Sequence, residues 1–505
     1  MTFSYGGKDL TTDKYRVGLV RVAITLLIVT AIIIYAAYLI QAIHAGRALY
    51  ADGANFFVEL LTKKSSWPVA DDSKHIRLFA NILNQFPVVF AIKSGITNLQ
   101  TLKIFFGAGL FLIPLCFYLY CFYLSRRAND YRVFYFSIVS LVTCAIPSDM
   151  FILNQAFTSL AISWILIHYL LLNLKVKWFD WAIFSAISLF LFRSHESLIV
   201  WGGVFFVGAI CVIFFRERGV VNNKNLLIYT AGVLGILQSL FVIFWQYSHP
   251  VGEQTSAFLQ LISLLKPAEI WVGNTRISLL ITIALLLLFV VQLSFNRMPS
   301  AWKKLRVFAL IGLVLMLGWM LVTGISSLND FSLTNPVREY DYRFLMTFGS
   351  SGWMLLAIAF VLLNKSLNHK VKSLSIIIVC IGVISASLWQ ISNNLQWSIF
   401  VNATSQILKN SSESEIEPLE VRKLLATAGN EDVYKYRWGW AWPVFGMSLQ
   451  KGWEVEKIYK PEGYDMYFNP PKRIPFIPMS GGEIGSEGTG LFHFDRFATS
   501  TKGSP

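Results

Sequence analysis

The chain has 505 residues, 55% of them hydrophobic and only 14% charged, with a net charge of +14. Soluble domains carry about 25% charged residues, so the composition excludes an ordinary soluble protein and predicts an α-helical polytopic membrane protein. The positive excess sits mostly in short loops between apolar runs, where it sets topology and meets anionic lipid headgroups, so nucleic acid is not an expected partner.

In chain order, apolar runs fall at roughly 20–43, 102–124, 132–147, 154–174, 179–194, 197–215, 226–247, 276–295, 305–326, 344–363 and 372–390. At about 20 apolar residues per crossing, they predict about eleven transmembrane helices. Val22–Ile43 is too long for a signal-peptide core and lacks a small-residue cleavage pattern, so it is read as a span. Every second connector is basic: Lys14/Arg16/Arg21, Arg126/Arg127/Arg132, Lys175/Lys177, Arg216/Arg218/Lys224, Arg297/Lys303/Lys304/Arg306 and Lys365/Lys370/Lys372. Positive loops stay cytoplasmic, which predicts a cytoplasmic N-terminus and an outer C-terminus in a bacterial inner (plasma) membrane.

The first external loop, residues 44–101, carries two helical patterns. Asp52–Lys63 repeats Phe56, Phe57, Leu60 and Leu61 at helical spacing. Ser73–Lys93 shows an apolar face (Leu78, Ile82, Phe86, Val89, Phe90) and a polar one (Asn81, Asn84, Gln85, Lys93). Both are expected to lie in the membrane interface with the apolar face down. Residues 1–390 therefore form a membrane domain. Residues 391–505 lose the long apolar runs and predict a small extracytoplasmic α+β domain, with short extended runs at Val433–Trp442 and Trp453–Tyr459. The five cysteines all lie in apolar runs without metal-ligand spacing, so neither a disulfide framework nor a metal site is expected.

Ionisable residues gather on the face opposite the basic connectors. Asp52 follows the first span and is either a general base or a helix cap. Asp149, in Ile-Pro-Ser-Asp, emerges on the same side. Arg193, His195 and Glu196 form a compact cluster that either binds a phosphate or hydroxyl or closes a helix turn as an internal ion pair. Arg338 and Arg343, interleaved with Tyr340 and Tyr342, suit a phosphate beside a sugar or apolar surface, or else form a loop-ordering network with Glu339 and Asp341. The tryptophans of the tail are expected to be core.

Taken together, an acid after the first span (Tyr50-Ala-Asp52-Gly), loop helices ending in Gly95, a span closing in Arg126/Arg127 and a second acid at Ser148-Asp149 resemble the GT-C superfamily of membrane glycosyltransferases. Protein O-mannosyltransferases and lipid A aminoarabinose transferases share that arrangement. The resemblance implies a polyprenyl-phosphate-sugar donor, a glycan, lipid or protein acceptor, and surrounding membrane lipids. It implies Asp52 and Asp149 as catalytic residues, and Arg338 and Arg343 as contacts of the leaving phosphate. No cofactor is expected, and a divalent cation is not indicated. Two alternatives stand beside it: a transporter or flippase of a lipid-linked or anionic solute, and a non-catalytic scaffold.

Overall fold

A computed structural model describes residues 10–62, 76–147, 155–217, 223–249, 281–286, 288–289, 345–363, 369–450, 455 and 457–462. The expected spans at 276–295 and 305–326 lie outside the described residues, apart from a short helical stretch within 281–289. Among the described residues, six helices are long and apolar enough to cross a membrane: Leu19–His44, Leu99–Ala128, Leu198–Phe215, Asn223–Ser248, Met346–Leu363 and Val371–Asn410. Four shorter apolar helices pack with them. The chain is an α-helical membrane protein.

The first helix, α1 (Leu10–His44), leaves a stripe of Leu26, Val29, Ile32, Ile33 and Ile40 exposed, as a lipid-facing surface requires. It stops at Gly46, whose φ of 66° lies in the left-handed region. The short helix α2 (Asp52–Thr62) follows, then α3 (Leu78–Lys93). Asn98 caps α4 (Leu99–Phe111) by accepting from the Thr101 N–H at 2.9 Å. The helix is interrupted at Leu112, where Pro114 has no N–H to donate, and continues as α5 (Ile113–Ala128). Next come α6 (Arg132–Ser140), closed by a wide π turn over Leu141–Ala145, and α7 (Gln155–Leu171). All of α7 is buried, which makes it the axis of the bundle. Around it stand α8 (Trp178–Phe192), α9 (Leu198–Val212), α10 (Asn223–Ser248) and α11 (Ser350–Leu363).

Helices α9 and α10 meet backbone to backbone. A Cβ on Gly202 would lie 2.2 Å from the Gly235 carbonyl oxygen, and one on Gly235 would lie 2.6 Å from the Gly202 carbonyl oxygen. Apolar surface gains little by leaving lipid, so such close van der Waals approach is what holds helices together in a membrane.

The loop helices differ from expectation in one respect. The face of α3 expected to meet water, with Asn81, Asn84 and Gln85, is buried, while Phe86 and Phe90 are exposed. Thr158 on α7 donates to Asn84 Oδ1 at 2.8 Å, and Gln155 donates to Asn81. In lipid the cheap surface is apolar, so the amides turn inward, where donors on α7 meet the Asn81 and Asn84 oxygens.

The last long helix, α12 (His369–Asn410), has 42 residues. At 1.5 Å per residue it spans about 60 Å, twice the hydrocarbon thickness, and it passes position 390 unbroken into the C-terminal region. There, among the described residues, stand β1 (Glu415–Ile416), α13 (Leu419–Thr427), α14 (Trp442–Leu449) and β2 (Ile458–Tyr459). β1 and β2 pair in parallel, with Glu415 opposite Ile458. The run Val433–Trp442, expected to be extended, instead winds as 3-10 turns at Glu431–Tyr436 and Gly439–Ala441. Pro443 in the first turn of α14 favours helix just downstream. Trp442 is core, as expected.

Two ends of the bundle are tied by polar contacts. At one, the Arg127 guanidinium grips Asp180 at 2.6 and 2.7 Å and reaches the Lys175 carbonyl, while Lys224 donates to Asn173 at 3.3 Å. Three of the basic connectors therefore share one end. The other end holds the candidate site.

Candidate functional site

The site is organised by Arg77, the residue that leads into α3. Its Nε donates to both Glu196 carboxylate oxygens, at 2.9 and 3.0 Å, and its Nη1 to Gln155 Oε1 at 3.0 Å. The Phe79 N–H donates to the Arg193 carbonyl at 2.9 Å, fixing the same junction through the backbone. Both charged side chains are under a fifth exposed. A guanidinium–carboxylate pair at that depth is stronger than a surface one and holds three segments together.

His195 continues the network. Its Nδ1 accepts from the Ser197 N–H at 3.1 Å, which leaves Nε2 to carry the proton of the neutral ring. That Nε2 faces Glu196 Oε2 at 3.4 Å. The Ser197 hydroxyl meets the Thr347 hydroxyl at 2.7 Å, and Trp201 Nε1 donates to Ser350 Oγ at 2.8 Å. Arg193 does not share Glu196 with Arg77; its guanidinium lies over the Trp245 ring at 4.1 Å, where burial lowers its pKa.

Asp149, Arg338, Tyr340 and Arg343 lie outside the described residues; described residues flank Asp149 on both sides and follow Arg343 on one. The Ile146 carbonyl, on the near side of Asp149, accepts from Gln390 Nε2 at 2.8 Å. On the far side stands Gln155, bonded to Arg77. Arg343 lies two residues before the turn Leu345–Gly349, whose Thr347 bonds to Ser197. Gln155 and Thr347, described residues that follow Asp149 and Arg343 in the chain, are thus joined to the His195–Glu196 cluster through Arg77 and Ser197.

Asp52 opens α2 as the acid of its first turn, a position that the helix dipole favours. Ala51 just before it holds φ at 48°, a left-handed conformation that costs a non-glycine residue energy. Around this turn is an aromatic cluster in which the Tyr50 ring stands edge-on to Trp397 at 5.7 Å and to Trp438 at 5.9 Å. Arg47 is almost fully buried, with its guanidinium 5.5 Å from the Tyr436 ring centre. Burial lowers the Arg47 pKa and the Tyr436 hydroxyl opposes that shift.

Arg77, Gln155 and Thr347 are the members that sequence reasoning missed. Arg77 is 119 positions from its carboxylate partner, and nothing local in the chain signals that pairing. Among the described residues no group of three or more His, Cys, Asp or Glu gathers in a metal-binding arrangement. No family model, curated protein or solved structure matches the chain.

Proposed function

We propose that the protein is a membrane glycosyltransferase that moves a sugar from a polyprenyl-phosphate-linked donor to an acceptor hydroxyl. In this reading about eleven spans carry the chain from a cytoplasmic N-terminus to an extracytoplasmic C-terminal region. The observation that carries the proposal is the gathering of Arg77, Gln155, His195, Glu196 and Thr347 at one end of the bundle. That gathering lies opposite the end that holds Arg127 and Lys175, and in this reading Asp149 and Arg343, which precede Gln155 and Thr347 in the chain, join it.

In this reading the chemistry is an in-place glycosyl transfer at the outer face. A carboxylate, Asp52 assisted by Asp149, takes the proton of the acceptor hydroxyl as its oxygen bonds to the anomeric carbon. The bond from that carbon to the phosphate oxygen breaks, and Arg338 and Arg343 neutralise the charge that the departing lipid phosphate gains. His195, Glu196, Arg193 and Tyr340 orient the sugar and phosphate. The apolar flanks of the bundle offer the lipid chain a path within the bilayer.

The test is Asp52→Asn in purified protein supplied with polyprenyl-phosphate sugar. Unchanged thermal stability with transfer reduced by at least about a hundredfold is the expected result, the range of a positioned general base. Normal transfer by this variant would remove Asp52 from the mechanism. Solute uptake into liposomes without turnover of the sugar-lipid would favour a transporter.

A further inference from the structure

A separate cleft of about 990 Å³ opens between the C-terminal end of α1, the start of α4, the last turns of α12 and the C-terminal region. Its charged lining consists of Lys103, Lys409 and Lys457, with His44 beside them and no Asp or Glu among the described lining residues. Amides of Gln100, Asn402 and Gln406 stand between these cations. Its volume is at the upper end of the range for small-molecule sites.

Lys103 is the decisive residue. It sits in the second turn of α4, is only 8% exposed and lines the cleft, and among the described residues no Asp or Glu lines the cleft beside it. An ammonium that faces the cleft from a largely buried side chain, with no carboxylate in the lining, is poorly compensated, and an anion in the cleft would offset that. Lys457 adds charge at a fixed position, because its ammonium donates to the carbonyls of Lys409 at 3.2 Å and Ser411 at 2.6 Å. That contact also ties the C-terminal region to the end of α12.

We propose that this cleft binds a phosphate ester flanked by hydroxyl groups. The ammonium groups bind the phosphate oxygens, and the amides take the neighbouring hydroxyls. Two sources carry this chemistry: a lipid headgroup, which would reach the cleft past Ile104, exposed to 40% on the lining, and a free sugar phosphate. The proposal does not rest on sugar transfer, since Asp52, Glu196 and His195 are not part of the lining.

The experiment titrates purified protein in a neutral detergent with three probes: glucose 1-phosphate, dihexanoyl phosphatidylglycerol below its micelle concentration, and glucose. Saturable binding of at least one charged probe, with none of glucose, is expected. Lys103→Gln should weaken that binding by about tenfold or more, and Lys103→Arg should largely retain it. The probe that binds identifies the source. If Lys103→Gln does not fold, Gln406→Ala on the exposed side of the cleft should still weaken binding severalfold. Failure of both charged probes to bind the unmodified protein would overturn the proposal, as would unchanged affinity in the variant that folds. Asp52→Asn should bind the probes as the unmodified protein does, which separates failure of this proposal from failure of the transfer reading.

Discussion

Arg77 and Glu196 show how a single contact shapes the site. Neither side chain is more than a fifth exposed, so losing one partner leaves the other charge less well compensated in a poorly hydrated place. Arg77→Met should destabilise the protein by about 2–3 kcal/mol, the range for hydrogen bonds to charged groups. Glu196→Gln should cost less, because it keeps the shape and part of the hydrogen bonding. A double-mutant cycle should return a coupling energy of about 1–3 kcal/mol, and additive effects would show that the pair contributes nothing of its own. The Arg193-Ser-His-Glu run was legible as a cluster from the sequence, but its internal wiring was not. Glu196 turns to Arg77 on another element, and Arg193 packs over Trp245 instead.

At the level of helices, contact between backbones decides stability. Gly202→Ala places a methyl group 2.2 Å from the Gly235 carbonyl oxygen and 2.4 Å from the Ser239 hydroxyl, so α9 and α10 must separate. The expected cost is about 1–3 kcal/mol, seen as a lower melting temperature in detergent. Gly203→Ala is the control: a Cβ there meets nothing within 4 Å, and a melting temperature at or above that of the unmodified protein is expected. Equal effects at both positions would mean that the close approach is not what matters. α3 teaches the same lesson through its side chains. Its two faces were visible as periodicity, yet periodicity alone does not say which face turns inward. Thr158 and Gln155, waiting on α7, settle it in favour of the amides.

For the whole molecule, the tied ends give a sidedness that labelling can read. In a variant without its five native cysteines, Cys at exposed position 431 should react with a membrane-impermeant maleimide added to intact cells, and Cys at exposed position 175 only once the membrane is opened. Labelling of both from the same side would remove the topology on which the proposed chemistry stands. Much of this architecture is written locally. A run of apolar residues must become a helix in lipid because each backbone group needs a partner within reach, and a basic loop resists crossing whatever its neighbours are. The positions of the described apolar helices and the grouping of Arg127, Lys175 and Lys224 were therefore readable from the chain. The Arg77–Glu196 node, the inward amides of α3, the helical turns at 431–441 and the lysine-lined cleft depend on residues far apart in sequence. Their energies arise from contact and burial, which exist only once the helices have packed.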